Sequence, residues 1–211
     1  MTELRVPDPV ERDDLGAFVA RVVRLDSAAL VRLRSSRDDR LHAWAVTPFD
    51  TLVTRSVRGA VRPGDLTVRG SDLLAAVAVV GATVVDPGTA HDALWCSALP
   101  PQRGWREVDK VPAGVLTDLA DRGVAVARGN RGPHGCPPTA LLDQKVITVS
   151  GAGFDVGVPL RCLFALSGMG FVGGHSAAET VRVSATDSWL RLDARYGAVL
   201  CRRHTLLPLL V

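Results

Sequence analysis

Aromatic side chains are scarce in this chain, at 5% of residues with a single tyrosine. Together with the lack of a recognition-helix or RNP-type motif, this leaves the common nucleic-acid modules without support. Lysine is rarer still: of 25 basic residues only Lys110 and Lys145 are lysine, so arginine carries the positive charge. That arginine excess, with abundant Ala, Val, Gly and Asp, points to a GC-rich genome. The four cysteines, Cys96, Cys136, Cys162 and Cys201, are widely spaced and include no C-x-x-C pair. Their expected state is four reduced thiols, mostly buried as small hydrophobes. No apolar run is long enough to span a bilayer, since the stretch 73–85 is short and interrupted by Gly81. The opening residues, MTELRVPDPVERDD, show no basic region followed by an apolar core, so the expectation is a cytoplasmic protein without a membrane partner. No G-x-S-x-G elbow is present for nucleophilic hydrolysis.

What the sequence does contain is enough apolar residues for a substantial core: 47% hydrophobic and 22% charged over 211 residues, with a net charge of +3. The greasiest segment is 158–174, VPLRCLFALSGMGFVGG. Pro159 suits the first helical position and Gly168 the left-handed closing position, which predicts a helix over 159–167. Its apolar character runs almost all round, interrupted only by Arg161, so neighbouring strands must cover it on several sides. The same stretch satisfies G-x-G-x-x-G at Gly168, Gly170 and Gly173. A dinucleotide site would need 160–166 as a strand and a full crossover helix after Gly174. The alternating run from Thr180 begins too soon for that, which favours a helix cap and loop.

Elsewhere Asp8-Pro9-Val10-Glu11 predicts a helix start with a capping box, and Leu15, Phe18, Val19 and Val22 give its apolar stripe, ending near Leu25. Two-residue periodicity then predicts strands over 30–34, 41–46 and 52–57. Ser71 is the expected cap of a second buried helix, a strand is expected over 81–87, and 87–112 is the least regular segment. A helix over 112–122 closed by Gly123, a short strand over 124–126, a Gly/Pro-rich loop over 128–139 and a short helix over 139–143 follow. A hairpin over 145–158 precedes the central helix, and three strands over 180–185, 189–195 and 198–203 follow it. Each meander follows a helix, which predicts an α+β fold: antiparallel β-meanders packed on a few buried helices, with an internal α-β-β-β pseudo-repeat. The halves are set at 1–127 and 140–211, with 128–139 as loop or linker.

Candidate chemistry is thin. His134-x-Cys136 and Cys201-x-x-His204 are the nearest approaches to metal spacing, and neither matches a zinc pattern, so no metal and no cofactor are expected. Cys136 beside His134 is the nearest approach to an activated thiol, and no catalytic residue is assigned. Arg131, His134, Cys136, Arg161 and His175 are the candidates for ligand or anion contact. The first meander carries Arg32, Arg34 and Arg55 and the second Arg182, Arg191 and Arg202, all candidate phosphate contacts, although acids lie among them.

The phrases LLDQKVITV, VPLRCLFALSGMGF and SWLRLDARYGAVLCRR resemble stretches of an uncharacterised protein family of high-GC Gram-positive bacteria. That resemblance implies a bacterial cytoplasmic protein and transfers no catalytic residue. The helix-plus-strands unit, met twice, also resembles a sliding-clamp lobe at the level of fold alone. The leading expectation is a non-catalytic binding or scaffolding protein with a protein partner or a second copy of itself. A nucleic-acid binder and an enzyme using Cys136/His134 or the 168–174 turn are the alternatives.

Overall fold

A computed structural model describes residues 2–79, 81–129, 138–172 and 179–203. The chain forms two compact units, Met1–Ala98 with Gly168–Gly170, and Leu99–Ser167 with Phe171–Val211. The division thus falls well before the 128–139 stretch at which the sequence places it.

In the first unit a three-residue strand, β1 (Glu3–Arg5), leads into α1 (Pro9–Leu25). Asp8 caps α1 by accepting the Val10 N–H, and Pro9 sits where a missing N–H costs nothing. Glu11 does not complete the expected capping box. It accepts from the Arg58 N–H and lies 3.8 Å from Arg40, because a tertiary donor and a cation reach it first. The meander follows as β2 (Leu30–Ser35), β3 (Arg40–Val46) and β4 (Leu52–Arg58), paired antiparallel as the two-residue period requires. Two strands that the sequence hid complete the unit. β5 (Ala60–Arg62) pairs with β1, and β6 (Asp65–Arg69) adds to the free side of β2. Strand order in this part of the sheet is therefore β6-β2-β3-β4. α2 (Gly70–Val77) starts at Gly70, and Ser71 lies inside it without capping it. A side chain at Gly70 would press Val23 at 2.9 Å, so the turn into α2 requires glycine. The strand expected over 81–87 shrinks to β7 (Val84–Val85), paired with β1.

The second unit opens with β8 (Arg106–Pro112) and α3 (Ala113–Gly129). α3 runs past Gly123, so neither the helix end expected there nor the strand over 124–126 exists. Gly123 is a packing residue instead, since a Cβ there would stand 2.5 Å from Leu160 and 3.0 Å from Phe164. After α4 (Thr139–Leu142), β9 (Lys145–Gly151) and β10 (Phe154–Pro159) form the expected hairpin. Its two-residue turn has both central residues at positive φ, Ala152 at 51° and Gly153 at 80°, matching the right-handed twist of the strands. Then comes α5 (Leu160–Gly168), in which every residue from Leu160 to Leu166 is buried. The left-handed closing residue is Gly170 (φ 58°), two positions later than expected, and the Phe171 N–H returns to the Leu166 carbonyl at 2.9 Å. That bond is the 6→1 closure of a Schellman motif, so these glycines reverse the chain at a helix C-terminus. The second meander, β11 (Thr180–Ala185), β12 (Trp189–Ala194) and β13 (Gly197–Arg202), takes β8 against β11, in the order β13-β12-β11-β8.

Both units hold the same parts in a different chain order. A strand pair (β1·β5 or β10·β9) leads into a helix and then a three-strand meander. A fourth strand (β6 or β8) lies against the meander's first strand and leads into a second helix. In the first unit the strand-helix-meander part comes first, and in the second it comes last. The two helices of each unit meet at a glycine: Gly16 of α1 faces Val77 of α2, and Gly123 of α3 faces Leu160 of α5. The pseudo-repeat is thus fuller than the α-β-β-β unit the sequence displays.

Candidate functional site

Strand pleating sends alternate side chains to opposite faces of each sheet. In the first unit Val31, Leu33, Leu41, Ala43, Leu66 and Val68 are buried, and the residues between them form the other face. Arg32 and Arg34 lie there, on one strand, with Asp65 of β6 directly across from Arg34. Asp65 receives a two-pronged pair from Arg32, at 2.7 Å through both Nε and Nη2, and Arg34 approaches it at 3.8 Å. The Arg32 guanidinium also stands 5.9 Å from the ring of Trp95, a cation–π distance. Beside it the β6 edge is closed by the segment ahead of Trp95. The Thr67 N–H donates to the Asp92 carboxylate and the Thr67 carbonyl accepts the His91 N–H.

The second unit repeats the device with different residues. Asp193 of β12 accepts from Arg191 at 2.8 Å and from Arg182 of β11, its cross-strand partner, at 3.2 Å. The Arg191 guanidinium stands 5.9 Å from Trp105. Arg202 lies over Trp189, its partner across β12 and β13, at 5.0 Å. In both units one carboxylate is shared by two arginines, and one of these stands over a tryptophan of the same unit, Trp95 in the first and Trp105 in the second.

Arg55 does not share this face. It lies opposite the buried Ala43 and turns toward α1, where it pairs with Asp14. Five of the six arginines singled out in the meanders therefore present on solvent-side faces, and the sixth ties a strand to a helix. Charge divides along the same line. The helices carry acidic and basic residues in equal number, whereas in the first unit β2, β3, β4 and β6 carry six arginines, the helix-facing Arg55 among them, against the single acid Asp65. In the second unit β11, β12 and β13 carry three arginines against Asp193, while β8 is balanced, with two basic and two acidic residues.

The Arg32 hydrogen bonds hold the Asp65 carboxyl below the ordinary carboxylate value, against an opposing effect of burial, and raise Arg32 in turn. Because the folded-state value is depressed, the stabilisation is complete above the unfolded carboxylate value of about 4. It is lost as pH falls through the folded value. Both groups are partly exposed, so the pair is worth about 1 kcal/mol at most. Asp65→Asn should lower Tm slightly at pH 7 and flatten the fall in Tm below pH 4. An unchanged acid profile in thermal melts would show that Asp65 does not titrate in this way.

Of the residues expected to contact a ligand, Arg161 is described. Its side chain, 8% exposed, lies in α5 and donates through Nη2 to Asp143 at 2.6 Å, tying that helix to the end of α4. Arg131, His134, Cys136 and His175 lie outside the described residues, as do Gly173, Gly174 and His204. Among the described residues no group of three or more His, Cys, Asp or Glu side chains could hold a metal. No described helix is long and apolar enough to cross a membrane. Cys162 and Cys201 are buried as expected, and Cys96 is exposed. The shared-acid arginine pairs and their tryptophans went unread in the sequence. The available signal was an acid on the same pleat parity as the arginines of the neighbouring strand.

Two helices packed together against an antiparallel sheet, occurring twice, define the sliding-clamp class of fold. The chain matches the DNA polymerase sliding clamp from Bacillus subtilis with a TM-score of 0.59 at 13% identity, covering 99% of this chain and 66% of the clamp. The clamp from Caulobacter crescentus gives 0.59 at 15% identity, covering 99% and 67%. The DNA polymerase III subunit beta sliding clamp from Bartonella birtlesii, solved bound to griselimycin, gives 0.56 at 14% identity over 99% and 67%. The chain thus spans about two thirds of the length of these clamps. By sequence it belongs to the family described as domain of unknown function DUF8185, whose model matches residues 100–206, just over half of the chain. A second model, domain of unknown function DUF8010, matches residues 1–97, so the two models meet where the two compact units do. No curated protein matches the sequence.

Proposed function

We propose that this protein is a non-catalytic scaffold of sliding-clamp fold, which works by binding macromolecules on its sheet faces and by associating with further copies of itself. The observation that carries the reading is the likeness to sliding clamps over 99% of the chain, with each unit repeating the two-helix lobe. Sedimentation equilibrium of the full chain tests the self-association. The expected result is a mass that rises with concentration above the 22.4 kDa of one chain. A mass fixed at one chain up to high micromolar concentration would contradict it.

Nucleic acid is the partner favoured by a second observation, the concentration of positive charge on the sheets rather than the helices. Arg34 and Arg182 are the exposed members of their pairs, with side chains 46% and 52% accessible. They can reach a phosphate while their neighbours keep the shared acids neutralised, and such contacts carry a steep salt dependence.

A further inference from the structure

Cys162 of α5 and Cys201 of β13 lie 39 positions apart in sequence, yet their sulfur atoms are 3.1 Å apart in the core of the second unit. Neither belongs to a disulfide, and Cys162 donates its S–H to the Cys201 sulfur. The pairing follows from the fold. Cys201 stands across from the buried Leu190 and so points to the helix side of its sheet. Cys162 lies in the first turn of α5, the helix that this sheet covers. A covalent S–S bond is about 2.05 Å long, so closure needs a movement of about 1 Å.

We propose that Cys162 and Cys201 are an oxidisable pair, and that a peroxide converts them to an intramolecular disulfide that fastens α5 to β13. The reaction runs in two steps. The sulfur of Cys201, the slightly more exposed residue of the two at 5% against 0%, attacks one peroxide oxygen and breaks the O–O bond. This gives a sulfenic acid and one water, which takes the thiol proton. The Cys162 sulfur then displaces the sulfenic hydroxyl, forming the S–S bond and a second water. Two thiols lose two electrons in all, and one peroxide gains them. Peroxide is small enough to enter through local opening of a core, where a peptide-sized disulfide is excluded. Burial pushes the Cys162 thiol well above its ordinary value, which leaves it the resolving partner and makes the reaction slow. The link closes a loop that contains β11 and β12, so the oxidised second unit loses unfolded-state entropy and gains stability.

The test uses the full chain with Cys96→Ser and Cys136→Ser, so that only this pair can react. The protein is treated with hydrogen peroxide while folded, then alkylated in denaturant and digested for mass spectrometry. The expected result is loss of both alkylation sites, a linked peptide pair containing Cys162 and Cys201, and a Tm raised by about 10 °C or more. Dithiothreitol should reverse all three. Cys162→Ser should abolish the link and the shift, and peptide mapping of the wild-type chain gives the same readout if that variant folds poorly. Free, alkylatable Cys162 and Cys201 after treatment would overturn the proposal. So would a link that forms only in denaturant, or one that leaves Tm unchanged.

Discussion

Phe171→Ala is expected to cost the second unit about 4 kcal/mol, which lowers its melting temperature by roughly 20 °C. Phe171 has no exposed surface and sits just past the closure of α5. Its ring lies against Gly197, where a Cβ would stand 2.4 Å from the ring, so ring and glycine occupy one space. Truncation to alanine removes the transfer free energy of a whole aromatic side chain and leaves a cavity. Neither the fixed helix end nor the first residue of β13 can collapse to fill it. Phe171→Leu keeps most of the volume and should recover more than half of the loss. Chemical denaturation of the two variants checks this, and equal midpoints for wild type and Phe171→Ala would show that the ring is not part of the core.

Gly123→Leu should be nearly as damaging, at about 3 kcal/mol or more, because four carbons must enter a contact already closer than a methyl allows. Its partners, Leu160 and Phe164, are themselves buried. The sign of this effect separates two roles for the residue. As a helix end, Gly123 would tolerate a large side chain at little more than the cost of its backbone conformation. As the point where α3 touches α5, it rejects one. Midpoint shifts of Gly123→Leu against a control, Gly129→Leu, decide it, since nothing lies within 4 Å of a Cβ at Gly129. Similar midpoints for the two variants would contradict the packing role.

The same glycine shows why parts of the fold were legible and others were not. The meanders were readable because Val31, Leu33 and Leu41, and likewise Val181, Val183 and Leu192, keep the two-residue period that one-sided burial imposes. α5 was readable because a short apolar segment, interrupted only by Arg161 and lying between strands, has few other fates. Gly123 misled because a glycine after a helical stripe usually ends it, and whether a second helix presses on that position is a tertiary fact. β8 was missed for a different reason. Val108 and Val111 are its buried residues, three apart, because the pairing shifts between Val183 and Ser184 and the extra residue breaks the alternation. β1 and β5 are three residues long, too short to show any period. The candidate surface was half legible. The arginines stand out in composition, but their pairing through Asp65 and Asp193 depends on which strands are neighbours. Arg55 was assigned with them because its strand matches theirs in pattern, while its pleat position sends it to Asp14.

In the proposed scaffold the arginine-bearing sheet faces, not the charge-balanced helices, are the working surface. A salt titration of duplex DNA binding by the full chain tests that most directly, comparing Arg34→Glu with Arg182→Glu, and Arg122→Glu with Arg128→Glu on α3. Affinity should fall steeply with salt, with a logarithmic slope of about −0.9 for each phosphate contacted. The sheet variants should weaken binding and make that slope shallower, and the helix variants should leave both unchanged. No binding at low salt, or binding lost through the α3 variants alone, would contradict it.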